Sequence, residues 1–259
     1  MIPKVIHYCW FGGNEKTPLI LRCIESWKQY CPDYRIIEWN ENNYNINACE
    51  YTREAYNAGK WAFVSDYARI EILYLYGGIY LDTDVELHSS LDDLLQYDAW
   101  FAQDDIRYVN TGLGFGACQK NDLLRRILLE RSTKLFDMTI CNKIDTPIIK
   151  KYLGLKQSRK SQCIRNIYII GMNEYSNFGK HWEGNSWKEE ADRQFQAKRR
   201  TKMWKVKVLL RNPTVINWLE RKGETRISKI YIFFVYDLMD NGILYFIKRK
   251  FKRKEDQNV

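Results

Sequence analysis

The 259-residue chain contains no run of about 18 uncharged apolar residues, the length a membrane-spanning helix needs, so the sequence offers no such helix. Its seven cysteines include no C-x-x-C pair and it has only three histidines. Nothing therefore clusters at zinc-ligand spacing. Five prolines and 14 glycines without a repeat exclude a fibrous or low-complexity chain. The opening Met1-Ile2-Pro3-Lys4-Val5-Ile6-His7 lacks the long apolar segment of a secretory leader. An odd number of scattered cysteines in such a chain leads to the expectation of reduced thiols, partly buried as small hydrophobes, in a cytoplasmic protein.

What is present is enough for a full core. Apolar residues make up 45% of the chain and aromatics 15%, which excludes a disordered polypeptide. The length fits one domain with a small appendage. The net charge of +9 is unevenly spread: 17 Lys and Arg stand against 6 Asp and Glu from Lys198 to Val259, so the rest of the chain is close to neutral. A basic tail of this kind calls for an anionic partner surface.

Pattern and punctuation predict alternating strands and helices. Lys4–Tyr8 reads as a strand, and Thr17-Pro18 opens a helix running to Tyr30, with Thr17 as cap and Pro18 in the first turn. Tyr34–Trp39 reads as a parallel second strand. An Asn-rich loop follows, then a helix over Trp61–Tyr76 that stops at Gly77-Gly78. Ile79-Tyr80-Leu81 is a short buried strand ending in Asp82-Thr83-Asp84, with Val85-Glu86-Leu87 continuing extended. Ala99–Ala102, Leu113–Ala117 and Ile167–Ile170 are further strands, and Asp122–Lys134 a helix. This order indicates an α/β fold.

Two constellations are candidates for chemistry, although taken alone the first reads equally as a solvated acidic turn and the second as a surface helix ion pair. Asp82 and Asp84 stand at the carboxyl end of a buried strand, where open α/β sheets place ligands. Paired carboxylates there suit a hard divalent cation, Mg²⁺ or Mn²⁺, that shares its shell with phosphate oxygens. Asp66 and Arg69, three residues apart, share one face of the preceding helix.

The run Phe63-Val-Ser-Asp-Tyr-Ala-Arg-Ile-Glu-Ile-Leu-Tyr-Leu-Tyr-Gly-Gly-Ile-Tyr-Leu-Asp-Thr-Asp-Val85 resembles the signature of glycosyltransferase family 32, the DXD sugar-binding-motif transferases of the bacterial capsular and surface polysaccharide type. Ile2-Pro3-Lys4-Val5-Ile6-His7-Tyr8-Cys9-Trp10-Phe11-Gly12-Gly13, Ser26-Trp27 and Pro32-Asp33-Tyr34 are similar to further family motifs in the same order. The resemblance implies a GT-A-type fold with a mixed, mainly parallel sheet, a nucleotide-sugar donor (UDP-linked first), a Mn²⁺ or Mg²⁺ ion and retention of anomeric configuration. It places Trp10, Phe11, Asp66, Arg69, Gly78, Tyr80, Asp82 and Trp187 at the donor, with Trp10 stacked on the base, Asp82 on ribose or sugar hydroxyls and Gly77-Gly78 allowing close backbone approach. Asp84 would hold the metal. The late block Gly179-Lys180-His181-Trp182-Glu183-Gly184-Asn185-Ser186-Trp187 is similar to the family's closing element and adds His181 and Ser186 as metal ligands, although Trp182 stands where a second histidine is commoner. Asp104 and Asp105, ahead of Asn110-Thr111-Gly112, would stabilise oxocarbenium character or position the acceptor hydroxyl.

The expected domain division is a catalytic domain over residues 1–200 and a helical, basic C-terminal extension over 201–259. Ile227–Phe251 joins aromatics to the cluster Lys248-Arg249-Lys250 and Lys252-Arg253-Lys254, a pattern suited to an anionic membrane interface. This gives a peripheral enzyme on the inner face of the cell membrane, acting on a surface polysaccharide or lipid-linked oligosaccharide; no nucleic-acid motif is present. Two alternatives share the same residues: a haloacid-dehalogenase-like phosphatase with Asp82 as nucleophile and Asp84 as acid/base, and a non-catalytic membrane-bound sugar-binding module.

Overall fold

The computed structural model describes residues 1–103 and 105–182. Asp104, Ser186, Trp187, the boundary at residue 200 and the basic extension lie outside the described residues.

The chain opens on strand β1 (Val5–Cys9), helix α1 (Pro18–Tyr30) and strand β2 (Arg35–Trp39). Thr17 caps α1 by accepting from the Ile20 amide, and Pro18 sits in the first turn, where a missing N–H is harmless. β1 and β2 pair in parallel, from Val5 opposite Arg35 to Cys9 opposite Trp39. Helix α2 (Glu50–Asn57) follows the Asn-rich loop, and α3 (Trp61–Tyr76) ends as Gly77, at φ 67°, donates its N–H to the Leu73 carbonyl. Next come β3 (Gly78–Tyr80), β4 (Val85–Leu87), β5 (Ala99–Ala102), β6 (Phe115–Ala117), α4 (Asp122–Ser132), α5 (Cys141–Leu153), β7 (Gln162–Ile164), β8 (Ile167–Ile170), α6 (Met172–Phe178) and β9 (Gly179–His181). α2 and α5 are not anticipated by the sequence pattern. Neither has a Ser, Thr, Asp or Asn at its N-cap, and α5 carries Pro147 inside it.

Seven strands form one sheet in the order β2-β1-β3-β6-β5-β8-β7. Five run the same way; β6 and β7 run against them. The protein is thus α/β with a mixed, mainly parallel sheet. Each sheet face carries its own core, as strand alternation requires. Tyr80, Phe101 and Phe115 face α3, α4 and α5, whereas Ile79, Leu81 and Trp100 face the side of Trp27 on α1. Among the described residues no helix is long and apolar enough to cross a membrane. Of the seven cysteines, Cys9, Cys23 and Cys31 are buried, Cys49, Cys118 and Cys141 are half-buried and Cys163 is exposed, so all but Cys163 fit the expectation of partly buried thiols.

The extended segment after Asp84 does not continue the main sheet. β4 pairs antiparallel with β9 in a separate two-stranded ribbon, Val85 opposite His181. α1 holds this ribbon down: Trp27 Nε1 donates to the Val85 carbonyl at 2.7 Å, and the Leu87 amide donates to Ser26 Oγ at 2.9 Å. That is the physical work of the Ser26-Trp27 motif.

Gly78 begins β3, at the far end of that strand from Asp82. Its φ is 105°, and a Cβ there would come within 2.7 Å of the Val5 carbonyl oxygen and 2.9 Å of the His7 ring. Its missing side chain serves the packing of β3 on β1 rather than close approach of a donor.

His7, 1% exposed on β1, is held in one protonation state. Its Nε2 lies 3.0 Å from the Gly77 carbonyl oxygen, which can only accept, and its Nδ1 lies 3.0 Å from Trp39 Nε1, which can only donate. The ring is therefore neutral, with its proton on Nε2. Burial lowers its pKa from 6.5 to about 4, the Gly77 carbonyl pulls it up, and Arg35 lowers it further. The unfolded chain takes up this proton near pH 6.5 and the folded chain only near pH 4. Stability present at neutral pH is therefore lost as pH falls through that window, by about 3 kcal/mol in all. Urea denaturation at pH 7 and pH 4.5 checks this: wild type should lose more stability between the two than a His7→Gln variant. Equal losses would show that another group carries the effect.

Candidate active site

The carboxyl rim of the sheet gathers residues from distant parts of the chain. Register sets the first neighbours. His7 on β1 pairs with Tyr80 on β3, so Cys9 and Trp10 stand level with Asp82. The Trp10 indole is half-buried at this rim, its N–H donated to the Asn14 carbonyl at 2.7 Å, with the Lys16 ammonium 5.5 Å from the ring centroid. Phe11 is 4% exposed and packs edge-on against Tyr44 in the core, so it backs the rim as a wall.

Helix α3 supplies the cationic floor. Asp66 and Arg69 are not the surface pair that their spacing alone permits; they are 8% and 3% exposed. The Arg69 Nη2 donates to Asp66 Oδ1 and lies 3.4 Å from Asp82 Oδ1, and its guanidinium carbon sits 5.0 Å from the Tyr80 ring centroid. Tyr80 is itself 1% exposed, a buried platform under the guanidinium. Burial opposes the Arg69 charge, but Asp82 and Asp66 outweigh it and hold its pKa well above the ordinary value. Arg69 Nη1 is buried with no hydrogen-bond partner among the described residues.

Asp82 and Asp84 follow β3. Burial pushes the Asp82 carboxyl up to about 6; Arg69 pulls it down and the neighbouring Asp84 carboxylate adds to the rise. The β4–β9 ribbon then brings in a residue 97 positions away. His181 Nε2 lies 3.1 Å from Asp84 Oδ1, and the Trp182 amide donates to the Asp84 carbonyl at 2.9 Å. One ligand atom from each of Asp82, Asp84 and His181 lies within 4.8 Å of the others. Two ligands facing each other across an octahedral ion with bonds of about 2.1 Å stand about 4.2 Å apart. Two carboxylates and one imidazole thus fit a divalent cation such as Mn²⁺ or Mg²⁺ in both spacing and donor type, and a cation would offset the Asp84 repulsion that adds to the effect of burial on Asp82.

The turn after β5 closes the rim. The Asn110 amide donates to the Ala102 carbonyl, and the Gly112 amide to Asn110 Oδ1, both at 2.9 Å. A Cβ on Gly112 would stand 2.6 Å from Asp82 Oδ2 and 3.4 Å from Arg69 Nη1. Gly112 therefore lets the turn lie directly on the acidic pair, a role that spacing in the sequence does not reveal. Asp105 is drawn elsewhere: its two oxygens accept from Arg107 at 2.9 and 2.7 Å. The structure does not bring it to the cluster of Asp82, Asp84 and His181.

Behind the floor stands a buried ion pair that the sequence analysis missed. Arg131 on α4 and Asp145 on α5 are 2% and 0% exposed and joined by two 2.8 Å bonds. Arg131 Nη1 also donates to the Asp66 carbonyl at 2.8 Å, and Thr111 Oγ1 stands 3.4 Å from Asp145 Oδ2. The pair thus ties the Asp66 turn of α3 to the 110–112 turn. One signal was available: Arg131 continues the buried stripe Leu124, Ile127 at helical spacing, a charge on an apolar face.

Residues 19–104 match a family model described as the glycosyltransferase sugar-binding region containing the DXD motif. Over 107 residues, 38% of this chain, the sequence is 36% identical to inositol phosphoceramide mannosyltransferase 3 of Schizosaccharomyces pombe, covering 29% of that protein. Over 121 residues, 43% of this chain, it is 34% identical to an uncharacterized glycosyltransferase, L373, of Acanthamoeba polyphaga mimivirus, covering 47% of it. The matches span less than half the length of these relatives. Among solved structures, the PaToxG glycosyltransferase aligns at a TM-score of 0.49 with 15% identity, over 59% of this chain and 70% of that one. A glycosyltransferase involved in glycosylation of the major capsid of PBCV-1 aligns at 0.41 with 11% identity, over 71% and 95%.

Proposed function

From the premise that residues 19–104 carry the DXD-containing sugar-binding region of glycosyltransferases, in the manner of family 32, we propose that the chain is a metal-dependent, retaining hexosyltransferase. It would move a hexose or N-acetylhexosamine from a nucleotide sugar, UDP-linked first, to a surface polysaccharide or lipid-linked oligosaccharide. The observation that carries this reading is the convergence of Asp82, Asp84 and His181 beside the buried Arg69.

Each residue has a task in this scheme. Asp84 and His181, with Asp82 in reach, would hold a Mn²⁺ or Mg²⁺ ion, which supplies charge to neutralise a departing diphosphate. Arg69, fixed by Asp66 and Tyr80, presents a permanent positive charge in a set direction, so little reorganisation is needed as the leaving group gains charge. Asp66 and Asp82 accept from sugar or ribose hydroxyls, and Trp10 offers an aromatic face to the base at the neighbouring strand end. Attack on the same face as departure, with the leaving phosphate taking the acceptor proton, accounts for retention without a nucleophile.

Two relatives are named as inositol phosphoceramide mannosyltransferases, which supports an acceptor carried on a lipid and puts GDP-mannose among the donors to try. The basic cluster Lys248–Lys254 supports a site on the inner face of the cell membrane, since anionic headgroups attract such clusters. Incubation with UDP-glucose, UDP-galactose, UDP-N-acetylglucosamine and GDP-mannose plus Mn²⁺ tests the proposal. One of them should release nucleoside diphosphate, and a chelator should stop the release. Donor binding without turnover under many acceptors would favour a sugar-binding module. Hydrolysis of a simple phosphate ester, with no action on any nucleotide sugar, would favour a phosphatase.

A further inference from the structure

We propose that the Gln103 carboxamide reads the hydroxyls of the donor sugar and sets which sugar is accepted; this rests on the transferase reading above. Gln103 follows β5 and is 1% exposed, yet both its Nε2 and its Oε1 are buried with no hydrogen-bond partner among the described residues. A buried amide with neither atom paired costs folding free energy, so its retention asks for a use outside folding. Its place in the sheet supplies one. The Gln103 amide donates to the Ile170 carbonyl at 3.1 Å, which extends the β5–β8 ladder by one residue. Strand alternation therefore puts Gln103 on the same face as Phe101, the face that α3 and Arg69 cover.

Register fixes its height on that face. Tyr80, Phe115 and Phe101 lie opposite one another across β3, β6 and β5. Two residues further on, Asp82 and Gln103 stand at one level of the rim, two strands or about 10 Å apart. The Asn110–Gly112 turn connects them: Asn110 hangs from the Ala102 carbonyl next to Gln103, and Gly112 lies against Asp82 and Arg69. Arg69 Nη1, also unpaired among the described residues, faces the same turn. A hexose held at Asp82 and Arg69 extends its hydroxyls along this line. A carboxamide offers one accepting oxygen and two N–H donors, the complement of a pair of hydroxyls, and it does so without the charge that the acidic rim already carries. A site built around such a group rejects sugars whose hydroxyls point elsewhere, because the amide then stays unpaired.

The experiment compares wild type with Gln103→Met, which keeps the volume and removes the amide. Dissociation constants are measured in Mn²⁺ for UDP alone and for UDP-glucose, UDP-galactose, UDP-N-acetylglucosamine and GDP-mannose, with the melting temperature of each protein. Wild type should prefer one sugar over its epimers by about tenfold or more. The variant should bind UDP within about twofold of wild type, lose that preference, and melt no lower. A variant that ranks the sugars as wild type does overturns the assignment while leaving the transferase reading intact. A variant that unfolds or melts well below wild type also overturns it, because the amide would then be paired within the fold. A wild type that binds neither UDP nor any donor sinks the transferase reading, and this assignment with it.

Discussion

Replacing Asp84 with alanine is expected to lower sugar transfer by about a thousandfold or more, with the melting temperature within a few degrees of wild type. The size follows from the role proposed for the carboxylate: a residue that would fix compensating charge beside a departing diphosphate acts on the transition state, where loss of one well-placed partner already costs about a hundred- to a thousandfold. The small effect on folding follows from position. The Asp84 side chain keeps 19% of its surface exposed and stands next to the Asp82 carboxylate. Removing it relieves a repulsion and leaves no buried charge unpaired. Asp82→Asn should act in the same direction, since it weakens the hold on Arg69 while Asp66 remains. Wild type treated with a chelator should match the Asp84 variant and recover on addition of Mn²⁺. Nucleoside diphosphate release from the preferred donor measures all three. More than about a tenth of wild-type rate in the alanine variant, or indifference to the chelator, would remove the metal-held diphosphate from the account.

Asp145→Asn should be the most damaging single change to stability among the residues around the site. The substitution nearly conserves shape but leaves the Arg131 guanidinium charged, buried and without its counter-charge. Breaking one side of a buried pair costs about 3–5 kcal/mol, a large share of the roughly 5–15 kcal/mol that holds a domain folded. At about 2–4 °C per kcal/mol for a chain of this size, the melting temperature should fall by about 10 °C. Replacing both partners, with Arg131→Met and Asp145→Leu together, should restore most of the loss, because apolar groups of similar volume need no partner. Thermal melts of the three proteins decide it. A single variant within about 2 °C of wild type would mean that the charge is compensated elsewhere. The double variant should also transfer sugar more slowly than wild type, since the Asp66 carbonyl and Thr111 lose the groups that tie them together.

Much of the site could be read before any fold was known because its signals are local. Thr17-Pro18 announces α1 whatever surrounds it, since a capping hydroxyl and a fixed φ act within one turn. Gly77 stops α3 by the same kind of local constraint, and a short apolar strand ending in two aspartates places Asp82 and Asp84 at a rim. Asp66 and Arg69 were found as neighbours, because three residues on a helix bring side chains together. Their burial was not found, since it depends on β3, α4 and the 110–112 turn.

What stayed hidden was non-local. The family resemblance puts Asp105 near the transferred sugar or the acceptor hydroxyl, but in the fold Arg107, two residues away, donates to both its oxygens. Arg131 and Asp145 sit on different helices, and one of those helices has no capping side chain at its start and a proline inside it. The sequence alone determined the chemistry available: two carboxylates at a strand end, a cation on the helix before it, an indole at the chain's first strand and a late histidine. Only the tertiary structure decided which of these meet. An antiparallel ribbon three residues long sets His181 beside Asp84, and a glycine without a side chain lets a distant turn settle on Asp82. Pairing register and free space belong to the folded chain as a whole, and no spacing along the polypeptide encodes them.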